Sequence, residues 1–204
     1  MELEYIMKDH SSFLQNVMLN YAAISDESFN ELWSFVRVKH YRRGDYLLRY
    51  GSVAKKMIFV YEGIVISLYN TQDDSVHIKN FFTEGRAAAS MVSMLTGRPS
   101  SFALQALDEV EVLEIPYEHY SELIARHDDL KDFYIAYLEK NWVIENERKQ
   151  IAFATEAADQ RYLTFLEDYP GLEKRVAQKN IASYLGITPT QLSRIRQKLR
   201  SLHM

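Results

Sequence analysis

The sequence predicts an α+β fold in three parts: an antiparallel β-sandwich or jelly roll behind short helices, one long helix, and a small helical unit at the C-terminus. Three observations carry this. Five of the seven glycines (Gly44, Gly51, Gly63, Gly85 and Gly97) punctuate Val38 to Pro116, where short β-branched and aromatic runs alternate with turns. No Gly or Pro interrupts 130–154. Finally, Ala177 to Leu199 reads as two helices around one glycine. The implied boundaries are 1–128, 129–154 and 155–204.

Taken in order, Ser12 to Tyr21 predicts a first helix, and Ser25 caps a second whose apolar stripe is Phe29, Leu32, Trp33 and Val36. MIFVYEG (57–63), IVISLY (64–69), VHIKNFF (76–82) and VEVLEIP (110–116) predict strands, with a helix embedded near Ala87 to Leu95. Tyr117 to Arg126 predicts a short helix. The long helix follows over Leu130 to about Ala154, where Leu130, Tyr134, Tyr137, Asn141, Ile144, Arg148 and Ile151 follow a 3–4 alternation. That spacing is the seam of a two-helix coiled coil, so a homodimer is expected, with Asn141 and Arg148 weakening the seam while setting register and pairing. Another helix, Ala157 to Tyr169, stops at Pro170-Gly171.

In the last stretch, Ala177, Ile181, Ala182 and Leu185 form the buried stripe of one helix, and Gly186 suits the left-handed residue that ends it. Thr188-Pro189-Thr190-Gln191 then has the form of a capping box with proline at the first helical position. Leu192, Ile195 and Leu199 fall on one side of the second helix, with Thr190, Ser193, Arg194 and Gln197 on the other. This is a helix–turn–helix whose second helix suits a DNA major groove. Gln178, Lys179, Thr188 and Arg196 are further candidates for DNA contact.

Charge supports the same end of the chain. Gly171 to Met204 holds seven Lys/Arg against Glu173 alone, a net of +6, while the preceding 170 residues carry 17 basic and 27 acidic side chains, a net of −10. An electrostatic footprint for phosphate therefore lies at one end only. Without cysteines there is no disulfide, iron–sulfur cluster or thiolate zinc site. No apolar run reaches the roughly 20 residues needed to span a bilayer, and MELEYIMKDHSS lacks the pattern of a signal peptide, so a cytoplasmic location with no membrane partner is expected. Six scattered histidines give no cupin-type metal set, so no enzymatic activity and no cofactor are expected.

Arg43-Gly44-Asp45 leading to Tyr50-Gly51, the YEG at Tyr61–Gly63, the EG at Glu84-Gly85 and IASYLGIT at Ile181–Thr188 occur in an order that resembles the Crp/Fnr family of bacterial transcription regulators. The resemblance spans nearly the whole chain. It implies a cyclic-nucleotide-binding-like β-roll, dimerisation through the long helix, and promoter DNA as partner, with RNA polymerase and an unidentified small-molecule effector as further partners. Arg194 matches the family's major-groove arginine. A ligand-binding adaptor without DNA binding is the alternative on the same fold.

Two departures from the family pattern stand out. Members that bind cyclic AMP carry, after the glycine matching Gly85, a Gly-Glu-Leu followed by Arg-Ser; Glu takes the ribose hydroxyl and Arg the phosphate. Here these positions read Ala89-Ser90-Met91 and Pro99-Ser100-Ser101, so Ser90 replaces the Glu and Ser100 the Arg. Losing the phosphate's counter-charge costs several kcal/mol. The adenine-contacting positions fall at Glu145 and Asn146, and Arg86 and Arg98 are the nearest cations that could rebuild an anion site. The pocket is expected to be degenerate and unresponsive to cyclic AMP. The second departure is the C-terminus, where the sequence reaches Met204 with little or no room for a β-hairpin wing after the recognition helix.

Overall fold

The computed structural model describes residues 2–70 and 76–202, with the side chains of 2–8, 70 and 202 left aside. The β-roll consists of β1 (Arg37–Tyr41), β2 (Tyr46–Leu48), β3 (Lys56–Glu62), β4 (Val65–Asn70), β5 (Val76–Phe82), β6 (Ala87–Ala88), β7 (Ala103–Ala106) and β8 (Val110–Pro116). They form two antiparallel sheets, ordered β1-β8-β3-β6 and β2-β7-β4-β5. Side-chain alternation then divides the apolar residues into three layers. Ile58, Val60, Val65, Leu104 and Val112 pack between the sheets. Met57, Phe59, Leu113 and Ile115 face outward from the first sheet, and Ile64, Ile66, Ile78 and Phe81 face outward from the second. Gly63 at the β3–β4 turn has φ +93°, and a Cβ there would meet the Glu109 carbonyl oxygen at 2.4 Å. Only glycine fits.

Helices cover both outer faces. The first sheet is covered by α1 (Glu2–Leu19), α2 (Asp26–Ser34), α4 (Tyr117–Arg126) and the start of α5 (Asp128–Leu138). Helix α1 begins earlier than the sequence pattern suggests, and its Leu14 and Met18 pack in the cluster on this sheet. As expected, Ser25 caps α2, its hydroxyl accepting from the Ser28 amide at 3.2 Å. In place of a helix over 87–95 there is the short strand β6 and then α3 (Met91–Thr96); Ala87 and Ala88 pair with Phe59 and Ile58 of β3.

The second sheet is covered by the C-terminal helices: α7 (Ala158–Asp168), α8 (Leu172–Arg175), α9 (Gln178–Leu185) and α10 (Pro189–Leu202). Tyr162, Phe165, Leu172, Ile181 and Leu185 share one buried cluster with the outward face of β4 and β5. The short α8 has no counterpart in the sequence reading. Ser183 of α9 fastens the contact, donating to the Val76 carbonyl and accepting from the Ile78 amide, each at 3.0 Å.

The long helix is α5, a π-helical segment over Glu139–Ile144, and α6 (Glu145–Thr155). The π-segment unwinds the helix, so the 3–4 alternation does not stay on one face. Leu130, Tyr137 and Asn141, expected in an intermolecular seam, are instead buried against the chain's own β-roll and α1. Asn141 Nδ2 donates to the Tyr137 carbonyl at 2.9 Å and to Tyr21 Oη at 3.1 Å, so its amide is engaged within the chain rather than setting register with a second copy. Tyr134 is half-buried, and Arg148 pairs with Asp168 at 2.6 Å. From the end of the π-segment onward, Val143 (60 % exposed), Ile144 (62 %) and Ile151 (56 %) turn outward.

Candidate nucleic-acid interface and ligand pocket

The helix–turn–helix forms by local rules. Gly186 ends α9 in the left-handed conformation (φ +67°), and the Ile187 amide donates back to the Ala182 carbonyl at 3.0 Å. The capping box closes across the turn: the Thr188 amide donates to Gln191 Oε1 at 2.8 Å and the Gln191 amide to Thr188 Oγ1 at 3.2 Å. Gln178 Nε2 donates to the Pro189 carbonyl at 3.0 Å, tying the start of α9 to the start of α10. Gln178 and Thr188, candidates for DNA contact, are thus both engaged in building the motif.

Helix α10 buries Leu192 and half-buries Ile195 and Leu199, leaving Thr190, Ser193, Arg194 and Gln197 exposed on one face. None of these four makes a hydrogen bond or ion pair among the described residues, so their donors and acceptors point outward unspent. Lys179 is exposed on α9, beside a groove that also touches Arg43 and Gly44 of the roll, and Arg196 is half-buried. Arg175 and Lys198 of the basic tail are held in ion pairs with Glu84 and Asp159. Arg175 forks onto both Glu84 oxygens at 2.7 and 3.0 Å, and Glu84 also accepts from the Gly63 amide at 3.1 Å. Burial pushes the Glu84 carboxyl up, but Arg175 outweighs it and holds it below its ordinary value. The sequence alone does not indicate this link between the EG turn and the C-terminal helices. The acidic residue before Gly85 and the arginine in the basic tail were visible, but nothing in the sequence pairs them.

At the positions expected to line a ligand pocket, side chains pair with one another. Ser90 and Ser100, at the positions of the missing Glu and Arg, are both buried, and Ser100 Oγ donates to Ser90 Oγ at 2.9 Å. Gly85 lies at the β-turn that begins the cassette, its amide donating to the Val60 carbonyl at 2.9 Å. Arg98 and Ser101 are exposed at the loop surface, away from these serines' buried hydroxyls. Across the pocket, Arg86 forks onto Glu145 of the long helix, with Nη1–Oε1 at 2.8 Å and Nη2–Oε2 at 2.7 Å. Lys149 stands 4.0 Å from the same carboxylate. Burial pushes the Glu145 carboxyl up, but the hydrogen bonds and charge of Arg86 outweigh it, leaving it below its ordinary value. Asn146 turns back onto its own helix, donating to the Trp142 carbonyl at 2.6 Å. The space left among Arg86, Phe102, Tyr137 and Glu145 is about 20 Å³, room for about one water.

No group of three His, Cys, Asp or Glu side chains among the described residues is placed to hold a metal, and no described helix is long and apolar enough to cross a membrane.

Comparison with known proteins places this geometry in a class. Residues 38–127 match the model of the cyclic nucleotide-binding domain. No curated protein sequence matches the chain. Among solved structures, the c-di-GMP responsive global regulator CLP of Xanthomonas campestris is 18 % identical with a TM-score of 0.68, covering 87 % of this chain and 92 % of its own. FixK2 of Bradyrhizobium japonicum is 17 % identical, TM-score 0.67, covering 82 % and 86 %. The catabolite activator protein of Thermus thermophilus is 19 % identical, TM-score 0.54, covering 89 % and 86 %. Residues 38–127 are therefore similar to the cyclic nucleotide-binding domain. As a whole it has the fold of the Crp/Fnr-type transcription regulators, as the resemblance in its sequence implied.

Proposed function

We propose that the chain is a sequence-specific DNA-binding transcription regulator, acting as a homodimer, that does not respond to cyclic AMP. The observation that carries this reading is the outward face of α10: Thr190, Ser193, Arg194 and Gln197 are exposed and unpartnered on a helix held down by Leu192. A hydroxyl, amide and guanidinium set of this kind matches base edges in a major groove, with Arg194 placed to take a guanine through a two-pronged bond. Lys179 and Arg196 supply flanking charge for phosphate. Val143, Ile144 and Ile151 are apolar and exposed on the long helix, and a second copy is the occupant that a two-fold DNA reader requires. The pocket's small residual space and the Ser90–Ser100 pair support independence from cyclic AMP. A cytoplasmic, non-enzymatic role fits the same reading, as do RNA polymerase as a further partner and a small-molecule effector other than cyclic AMP.

Selection of bound fragments from genomic DNA tests it. The expected product is an inverted repeat with half-sites about one helical turn apart. Recovery of no enriched sequence would overturn sequence-specific reading and leave the fold as a ligand-binding adaptor.

A further inference from the structure

The pocket of the cyclic nucleotide-binding domain contains an anion, and the anion is part of the chain. Arg86 projects from the loop that follows Gly85, and its guanidinium is largely removed from solvent. Both terminal nitrogens are engaged by the Glu145 carboxylate, while Nε is buried with no partner among the described residues. A desolvated guanidinium of this kind requires a counter-charge, because an unpaired buried charge is among the costlier defects a fold can carry. Glu145 is delivered by the long helix from 59 positions along the sequence. The fork geometry is the one by which arginine takes a carboxylate or a phosphate.

Two further observations point the same way. The positions of the family's Glu and Arg have turned inward on each other, with Ser100 donating to Ser90, so they offer no charge to an incoming phosphate. Tyr137, one helical stretch before Glu145, accepts from the Ala87 amide at 2.6 Å, so the long helix touches the loop at Ala87 as well as at Arg86. Together these contacts fasten the long helix to the roll.

We infer that the pocket is a self-liganded anion site: Arg86 is its anion-binding group, the Glu145 carboxylate is its resident ligand, and the pair fastens the long helix to the β-roll without any added effector. The inference rests on the closed geometry of the pocket and stands or falls independently of DNA binding. Its chemical signature is that a small carboxylate should replace the side chain once the side chain is removed.

The experiment uses the full chain and its melting temperature in sodium acetate and in sodium chloride at equal ionic strength. Glu145→Ala should lower the melting temperature by about 4–8 °C in chloride, the shift expected when a partly buried pair loses one member. Acetate should restore part of that loss in Glu145→Ala, while the acetate-minus-chloride difference in the parent and in the Arg86→Ala/Glu145→Ala double variant stays smaller. Glu145→Gln, which keeps the shape but not the charge, should melt below the parent and show no acetate response because its amide fills the site. This second variant decides the matter if Glu145→Ala does not fold. The inference is overturned if either single variant melts with the parent, or if acetate and chloride act alike on Glu145→Ala.

Discussion

The pocket of the β-roll and the outward face of α10 treat polar groups in opposite ways. In the pocket, serine meets serine and arginine meets glutamate, so these four side chains face one another inside the chain. On α10, Thr190, Ser193, Arg194 and Gln197 have no such partner, and the bonds that could have consumed them are made one turn earlier by Thr188 and Gln191. A polar group with an internal partner contributes to stability, and one without is available to a ligand. The difference teaches that polar groups on α10 are left unspent while these pocket groups are built into the structure.

Breaking the reader should give the largest effects. Ile144→Asp with Ile151→Asp should abolish dimerisation while leaving the melting temperature of the monomer nearly unchanged, since both side chains are exposed. Losing simultaneous engagement of two half-sites should then weaken operator binding about 10²- to 10⁴-fold, measured by fluorescence anisotropy beside sedimentation of the variant. Dimers that persist through both substitutions would place the interface elsewhere. Next in size, Arg194→Ala should cost about 1–3 kcal/mol of binding and relax selection at one base pair, seen by titrating single-base operator variants. An unchanged preference at every position would remove Arg194 from base readout.

Sharpening the contrast from the pocket side gives smaller, pH-dependent effects. The Glu145 and Glu84 carboxyls lie below their ordinary value of 4.5 in the folded chain. The sign follows: their contribution to stability is present above about pH 4.5 and is lost as pH falls through the lower folded values. The melting-temperature gap between the parent and Glu145→Gln should therefore be full at pH 7 and shrink below pH 4.5; a gap that is constant down to pH 3 would contradict it. Smallest of all, Lys179→Ala should reduce the salt slope of DNA binding by about one counterion and weaken every sequence alike.

How much of this was legible depended on the range of the interaction. The turn at Gly186, the capping box at Thr188 and the apolar stripe of Leu192, Ile195 and Leu199 are set by neighbours within a turn or two, and the residues alone indicate them. The β-roll was legible from its punctuation, but α3 and β6 were not separated, because Ala87 and Ala88 take strand geometry only by pairing with β3. The seam on the long helix misled. A 3–4 alternation assumes constant winding, and the π-segment over Glu139–Ile144 breaks it, sending Tyr137 and Asn141 inward and Ile144 outward. Covering of the second sheet by the C-terminal helices had a signal in the sequence: Ile64, just before β4, alternates with Ile66 and Leu68 on one face while Val65 fills the other, which marks a strand buried on both sides. The Arg86–Glu145 and Arg175–Glu84 pairs had no such signal, since they join residues 59 and 91 positions apart.

The measurement that tests the account most directly is the affinity of the full chain for its selected operator, titrated with and without millimolar cyclic AMP. The account predicts tight binding of a two-fold symmetric site with no change on adding the nucleotide, because the reader's polar face is free and the pocket is filled by Glu145. Binding that appears only with cyclic AMP, or failure to retain DNA even at low salt, would contradict it.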